Sequence, residues 1–200
     1  WRTGAVIKFQ LLADQVEAAL GRRPEVLVQR ETEILGTGGS LRLAIDRMDN
    51  DPVLVVNGDL YHDIDLERVY HQHLRSGFDV TMALHDHPRF NTVTVADGRV
   101  VGFDGGEGER LAFTGIHVID PDAIERIPRQ GFFHIIDLYR ELAAAGRIGC
   151  CRVDGSLWRD IGTPADYLDL HRELLAERGW LIDPTARVAA DAELAGRGCI

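Results

Sequence analysis

Two aspartates about a hundred residues apart, Asp59 and Asp160, are the side chains whose positions most clearly suggest chemistry. Asp59 closes the run Asn57-Gly58-Asp59, directly after an apolar segment with the pattern of a strand, and Asp160 lies near the end of another predicted strand. Ligands of open α/β sheets bind beyond the carboxyl ends of strands, and Mg²⁺ prefers one or two carboxylates with waters and substrate phosphates. The pair therefore predicts a magnesium site, although each aspartate alone could cap a turn and Asp160 could pair with Arg159.

A glycine-rich segment, Leu35–Ser40, is the second candidate. Its glycines would let the backbone approach a flat ligand. Ser40 would cap a helix over Leu41–Met48, leaving exposed N–H groups where a helix favours anions. The spacing is neither G-x-G-x-x-G nor that of a phosphate-binding P-loop. By itself the segment could also be a tight turn.

A third cluster, His85-Asp86-His87, has two histidines that would share one face of a strand. No third ligand or cysteine partner for zinc is evident. Polar surface residues at a strand end are therefore the preferred interpretation.

Alternating strand and helix patterns must position these residues. The predicted strands are 5–9, 25–29, 53–56, 80–84, 92–96, 99–103, 111–119, 149–153 and 157–161, and the predicted helices are 11–20, 41–48, 66–76, 137–145 and 164–178. The alternation favours an α/β domain with a mixed, mainly parallel sheet and helices on both faces. The four consecutive apolar residues Val53–Val56 suit a central strand, and Asp97-Gly98 predicts a hairpin.

The last twenty residues have a different period. Ile182, Val188, Leu194 and Ile200 recur every six residues, and a small residue follows each of the first three by four positions. Such a hexapeptide pattern is typical of a parallel β-helix. We therefore divide the chain into residues 1–179 and the start of a β-helix at 180–200.

Composition limits the possible partners. The formal net charge is −10, which argues against nucleic acid and anionic membranes as general partners. No apolar run reaches the roughly 18 residues of a membrane span, and no secretory signal is evident. The chain has three cysteines, of which Cys150 and Cys151 are adjacent, and this favours a reducing, cytoplasmic setting. An acidic protein with an acidic substrate needs local cations or a metal.

Taken together and in this order, four motifs resemble those of the sugar-1-phosphate nucleotidylyltransferases. They are Leu35–Gly39, Val55–Asp59, Phe113–Ile116 and Trp158–Pro164. The six-residue tail resembles the left-handed β-helix that many members carry. The resemblance covers essentially the whole chain.

The resemblance implies a Rossmann-like nucleotide-binding domain that joins an NTP and a sugar 1-phosphate into an NDP-sugar and pyrophosphate. It also implies site residues. Asp59 and Asp160 would hold Mg²⁺, and Glu31, Gly36 and Thr37 would serve the nucleobase. Asn57 and Gly58 would lie by the ribose. Asn91, Thr114 and Gly115 would line the sugar, and a homo-oligomer is possible.

One departure from the family concerns its Gly-rich loop with Arg and Pro-Lys, which would precede residue 1. Because that loop supplies cations to the triphosphate, we expect residues 1–200 alone to be inactive. Trp1 as the first residue, and an end inside the repeat, indicate a fragment. Two alternatives stay open: a glycosyltransferase that consumes an NDP-sugar, and a non-catalytic homologue that senses nucleotide sugars.

Overall fold

The computed structural model describes residues 4–9, 13–20, 23–103, 105–178, 180–189, 191–193, 195, 196, 198 and 199. In chain order the elements are β1 (Ala5–Phe9), α1 (Ala13–Leu20), β2 (Val26–Arg30), α2 (Gly36–Ala44), β3 (Val53–Val56), β4 (Leu60–His62), α3 (Leu66–Ser76), β5 (Val80–His85), β6 (Asn91–Ala96), β7 (Arg99–Phe103), β8 (Glu109–Ile119), α4 (Pro121–Glu125), α5 (Ile135–Ala144), β9 (Ile148–Arg152), β10 (Trp158–Asp160), α6 (Pro164–Arg178), β11 (Trp180–Leu181) and β12 (Gly198–Cys199). None of the helices described is both long and apolar enough to cross a membrane.

The chain separates into two compact units. The first consists of Trp1–Val56 and Asp65–Asp154, and the second of Asn57–Ile64 and Gly155–Ile200. The division at residue 180, which rests on the hexapeptide pattern, stays a prediction.

A six-stranded sheet in the order β3-β8-β5-β9-β7-β6 forms the centre of the first unit, and β1 and β2 form a separate parallel pair. The long strand β8 runs antiparallel to β3, β5 and β6, so that β5 and β9 are the one parallel pair described in this sheet. The sheet is mixed, as predicted, but the prediction that it is mainly parallel is wrong, because the long strand β8 pairs with several neighbours that run against it.

Strand β3 also differs from expectation. In the described part of the chain it pairs with β8 alone, at the end of the sheet, and its Val56 side chain is 39% exposed. A run of apolar residues indicates apolar surroundings but does not fix a strand's place in the sheet.

Helices cover both faces of this sheet, as predicted. His73 of α3 contacts Thr81 of β5, whereas Met82, the next residue, belongs to a core cluster with Leu138 and Leu142 of α5. Successive strand residues point to opposite faces, so α3 and α5 lie on opposite sides.

The hairpin between β6 and β7 has the predicted turn. Asp97 has a φ of 49° and Gly98 a φ of 73°. Positive φ at both central residues is what a type I′ turn requires.

Helix α2 begins earlier than predicted. It starts at Gly36, and Ser40 lies inside it, where the Ser40 hydroxyl donates a 2.5 Å hydrogen bond to the carbonyl oxygen of Gly36. Ser40 is therefore not the helix cap, and the glycine-rich segment is the first turn of the helix.

The second unit contains an antiparallel pair formed by β4 and β10, with Asp160 opposite Leu60. Helix α6 starts at Pro164, and the Thr163 hydroxyl accepts a hydrogen bond from the backbone N–H of Asp166, which caps the helix. This strand pair and this helix start flank the residues 160–163.

Candidate active site

The carboxylates of Asp59 and Asp160 converge within the second unit. A Cβ atom placed on Gly162 would lie 3.1 Å from Asp59 Oδ2 and 3.2 Å from Asp160 Oδ1. The two oxygens are thus no farther apart than the sum of these distances. Both oxygens border one open point, which is the position that a Cβ atom would fill if residue 162 were not glycine.

Backbone hydrogen bonds fix this arrangement. The β4–β10 ladder places Asp160 opposite Leu60, and the Ile161 N–H donates to the Asp59 carbonyl oxygen at 2.9 Å, one step further along. Trp158, two residues before Asp160, is 2% exposed and anchors β10. Asp160 is therefore the last residue of β10, and Asp59 lies in the bend directly before β4, where its backbone is bonded to Ile161.

The two aspartates differ in the contacts that their side chains make. Arg159 Nη2 lies 2.9 Å from Glu173 Oε2, so Glu173 is its partner rather than Asp160. Asp160 Oδ1 does accept a 2.9 Å hydrogen bond from the Gly162 N–H, so it caps a turn as well. The Asp59 carboxylate is exposed and makes neither a hydrogen bond nor an ion pair with any residue the structure describes.

The donor set fits magnesium. Two carboxylate oxygens bordering one open point match the small number of protein ligands that Mg²⁺ takes. The described residues contain no group of three or more His, Cys, Asp or Glu side chains that could hold a metal. The remaining positions would therefore belong to water and phosphate oxygens.

The start of α2 presents a smaller polar surface than predicted. Thr37 is exposed and Gly36 half-buried, but the N–H groups of Gly38 and Gly39 both donate to the Phe133 carbonyl oxygen, at 3.1 and 3.4 Å. The expectation of exposed N–H groups for an anion is wrong at these two positions. Gly36 and Thr37 stay accessible to a ligand.

The glycines of this turn have a packing role. A Cβ on Gly38 would lie 2.7 Å from a ring carbon of Phe133, and one on Gly39 would lie 2.8 Å from the Gly131 carbonyl oxygen. Segment 131–133 therefore packs directly against the backbone of α2. This packing explains why Gly38 and Gly39 have no side chains, and no ligand is needed to account for them.

Glu31 lies in a buried polar cluster of the first unit. Its side chain is fully buried, Gln29 Nε2 donates to Glu31 Oε1 at 3.3 Å, and Lys8 Nζ lies 3.6 Å from Glu31 Oε2. Gln29 Nε2 also donates to the Ser40 carbonyl oxygen at 2.9 Å. The cluster therefore ties strand β2 to helix α2.

Asn57 and Gly58 are exposed in the second unit, next to Asp59. A Cβ on Gly58 would meet no atom within 4 Å among those described. Packing therefore gives no reason for a glycine at this position.

The predicted sugar-lining residues lie in the first unit. The Asn91 amide donates to Asp86 Oδ1 at 2.8 Å and accepts from the His87 N–H at 2.9 Å, so it organises the turn before β6. Thr114 is fully buried and donates to the Ala83 carbonyl oxygen at 2.8 Å. Gly115, with a φ of 78°, forms the bulge of β8.

A profile of nucleotidyl transferases matches residues 6–177, most of the chain. The chain belongs to the nucleotidyl transferase family.

The named relatives of this nucleotidyl transferase differ in how much of this chain, and how much of their own length, aligns. The N-acetylmuramate alpha-1-phosphate uridylyltransferase of Caulobacter vibrioides is 26% identical over 96% of the chain and 77% of the relative. The mannose-1-phosphate guanylyltransferase of Mycobacterium tuberculosis is 32% identical over 85% of the chain, which spans 49% of that relative. The crystal structure of HddC from Yersinia pseudotuberculosis superposes with a TM-score of 0.71 at 21% identity, over 86% of this chain and 79% of that one. This last likeness shows the fold.

Within this nucleotidyl transferase, the predicted pair Asp59 and Asp160 is brought together, because one oxygen of each carboxylate lies 3.1 or 3.2 Å from the position that a Cβ atom of residue 162 would take. Sequence reasoning missed two neighbours of the predicted residues. Gly162 creates the open point between the carboxylates, and its place two residues after Asp160 was the available signal. Lys8 pairs with Glu31, and no sequence signal pointed to that partner.

Proposed function

We propose that this protein transfers a nucleoside monophosphate from an NTP to a sugar 1-phosphate, giving an NDP-sugar and pyrophosphate. The proposal rests on one observation above all. In a chain of the nucleotidyl transferase family, the two predicted carboxylates border a single open point at 3.1 and 3.2 Å. Its named relatives are a uridylyltransferase and a guanylyltransferase of sugar 1-phosphates.

Asp59 and Asp160 would hold Mg²⁺. When bound, the ion supplies charge neutralisation and a template for two anionic substrates. The pairing of β4 with β10 fixes the backbone next to both aspartates before a substrate arrives, so that the ordering needed on binding is confined to their side chains.

The chemistry needs no protein base. An oxygen of the sugar phosphate attacks the α-phosphorus of the NTP, a new P–O bond forms, and the bond to the departing pyrophosphate breaks. The attacking oxygen is already ionised, so no proton moves. Catalysis then depends on position and on charge stabilisation.

For the nucleotide, we assign the base to Gly36 and Thr37 and the ribose to Asn57 and Gly58. Glu31 would act indirectly, by supporting the residues that contact the base, because its carboxylate is buried and already contacted by Gln29 and Lys8. Thr37, Asn57 and Gly58 are all exposed, as residues that meet a ligand must be.

For the sugar 1-phosphate, we assign the lining to Asn91, Thr114 and Gly115. The Thr114 hydroxyl and the Asn91 amide are engaged within the protein. Their role would therefore be to shape the backbone of the turn before β6 and the bulge of β8.

Residues 180–200 would begin a left-handed β-helix. Strands β11 and β12 pair in parallel, Trp180 with Gly198, at an offset of three hexapeptides. Two turns also recur six residues apart, at Asp183–Ala186 and Ala189–Ala192. Ile182 and Val188 are 45% and 38% exposed, while Leu194 and Ile200 lie outside the described residues.

The test is pyrophosphate release by the full-length protein with Mg²⁺ and panels of NTPs and sugar 1-phosphates, UTP and GTP first. Asp59→Asn and Asp160→Asn should each lower turnover at least a hundredfold. Asp63→Asn is the matched control, because its side chain keeps the oxygen that accepts the Leu157 N–H at 2.7 Å. Near-normal turnover in either variant would remove that residue from the site, and release of NDP instead of pyrophosphate would indicate a glycosyltransferase.

Three further expectations have tests of their own. Residues 1–200 alone should show no useful turnover in this assay. A cytoplasmic setting and any oligomer are tested by fractionation of the native cell and by the mass of the purified protein in solution.

A further inference from the structure

The described residues of the first unit expose two large apolar side chains more than any others of their kind. Ile34 is 65% exposed and Phe132 is 63% exposed. A single exposed apolar residue needs no explanation. Phe132, however, packs against Gly36 at the start of α2, next to the residues assigned to the nucleobase.

The Phe132 ring lies against the one glycine of this turn that a ligand can still reach. A Cβ on Gly36 would lie 2.9 Å from Phe132 Cε2 and 3.3 Å from Phe132 Cδ2. The edge of the ring therefore borders the backbone of Gly36, and the exposed Thr37 follows directly.

The backbone around Phe132 is held on its carboxyl side. The Phe133 N–H donates to the Leu35 carbonyl oxygen at 2.9 Å, and the Phe133 carbonyl oxygen accepts from the Gly38 N–H at 3.1 Å. Segment 131–133 is thus bonded to residues before and after Gly36. The ring is exposed, yet its attachment to the protein is fixed relative to that glycine.

We propose that the exposed ring of Phe132 is a wall of the nucleobase subsite at Gly36 and Thr37, against which the base packs. The proposal rests on the proposed function and adds a residue to it. A bare glycine backbone, a hydroxyl and an aromatic face suit a flat, amphipathic heterocycle. Every base has a π-face, so this contact should raise the affinity for all NTPs alike. Discrimination between bases would then depend on polar groups such as Thr37.

The experiment measures NTP binding and turnover in the full-length protein. Phe132→Ala should raise the KM for the NTP, and the Kd of a fluorescent NTP analogue, at least fivefold for both GTP and UTP. The kcat and the KM for sugar 1-phosphate should stay within twofold. Phe132→Tyr should restore the wild-type KM, and Phe132→Leu, which keeps apolar bulk without a π-face, should lie between.

Ile34→Ala is the matched control, because Ile34 is equally exposed and its atoms are not among those nearest to the Cβ site of Gly36. It should leave the KM for the NTP unchanged. An unchanged KM in Phe132→Ala, an equal rise in Ile34→Ala, or a rise confined to the sugar 1-phosphate would each overturn the proposal. If the wild-type protein released no pyrophosphate with any NTP, the proposed function itself would be contradicted. Unfolding in urea, matched between variants, excludes a loss of fold.

Discussion

At the scale of single residues, the proposed metal site depends on the absence of a side chain at position 162 as well as on the two carboxylates. Gly162 leaves open the point that Asp59 Oδ2 and Asp160 Oδ1 border. A methyl group there would require the oxygens to shift by a few tenths of an ångström. Since Asp59 is exposed, it can move without disturbing the core.

Gly162→Ala should therefore weaken Mg²⁺ dependence without unfolding the protein. A misplacement of about 1 Å can cost roughly a hundredfold in rate, so a shift of a few tenths of an ångström should cost less than that, and the half-saturating Mg²⁺ concentration for pyrophosphate release should rise. Gly155→Ala serves as the control in the same unit, because a Cβ there meets no atom within 4 Å. An unchanged Mg²⁺ requirement in Gly162→Ala would contradict the assignment of this point to the metal.

A second residue-scale prediction concerns His117, which is buried in the core of the first unit. Its Nε2 lies 2.5 Å from the Tyr139 hydroxyl, and burial lowers the pKa of the imidazole to about 3. In the unfolded chain the pKa is about 6.5. Below that pH the unfolded chain takes up a proton that the folded protein does not, so the folded state loses stability as the pH falls.

Between pH 6.5 and 5.5 the loss should amount to roughly 1 kcal/mol, and at lower pH, down to about pH 3, it should approach roughly 1.4 kcal/mol per pH unit. Urea unfolding at pH 6.5 and 5.5 measures this loss, and His117→Gln, whose amide keeps a hydrogen-bonding group for the Tyr139 hydroxyl, should show a drop smaller by about 1 kcal/mol. His71→Gln is the control, since its side chain is 49% exposed. Equal drops in wild type and His117→Gln would refute the assignment.

At the scale of elements, the packing of segment 131–133 on α2 decides what a substitution there does. Alanine normally stabilises a helix relative to glycine by about 1 kcal/mol. At Gly39, however, the new methyl would lie 2.8 Å from the Gly131 carbonyl oxygen, and backbone cannot move aside as a side chain does.

Gly39→Ala should thus lower the free energy of unfolding by roughly 1–3 kcal/mol, measured in urea. Arg75→Ala, on the exposed side of α3, should change it by less than about 0.5 kcal/mol. A stabilised Gly39→Ala would show that helix propensity outweighs the contact with segment 131–133.

These elements also show what the sequence could and could not reveal. Helix α3 was predicted to the residue, because a local cap, Asp65, and a left-handed stop, Gly77, mark its ends. Helix α2 was not, since the partner that keeps its glycines helical, Phe133, lies almost a hundred residues away. The direction of β8 likewise depends on partners that no local pattern specifies. The two aspartates near strand ends were predictable from the sequence, whereas the open point that Gly162 leaves between them can be located only in the folded structure.

At the scale of the whole molecule, the proposed functions are divided between two compact units. Thr37, the residue proposed to contact the base, belongs to the first unit, and the carboxylate pair belongs to the second. Binding of the metal and recognition of the base should therefore be separable by mutation. The separation can be measured without turnover.

Thr37→Val, which keeps the shape and loses the hydroxyl, should weaken binding of a fluorescent NTP analogue roughly three- to tenfold, the value of one neutral hydrogen bond. It should leave Mn²⁺ affinity, measured by electron paramagnetic resonance without nucleotide, unchanged. Asp59→Asn should do the reverse and weaken Mn²⁺ binding, because one of two anionic ligands is lost. Metal-free binding of the analogue should stay near wild type or tighten, since a negative charge has been removed. If Thr37→Val weakened Mn²⁺ binding as much as Asp59→Asn does, the division of roles between the two units would be wrong.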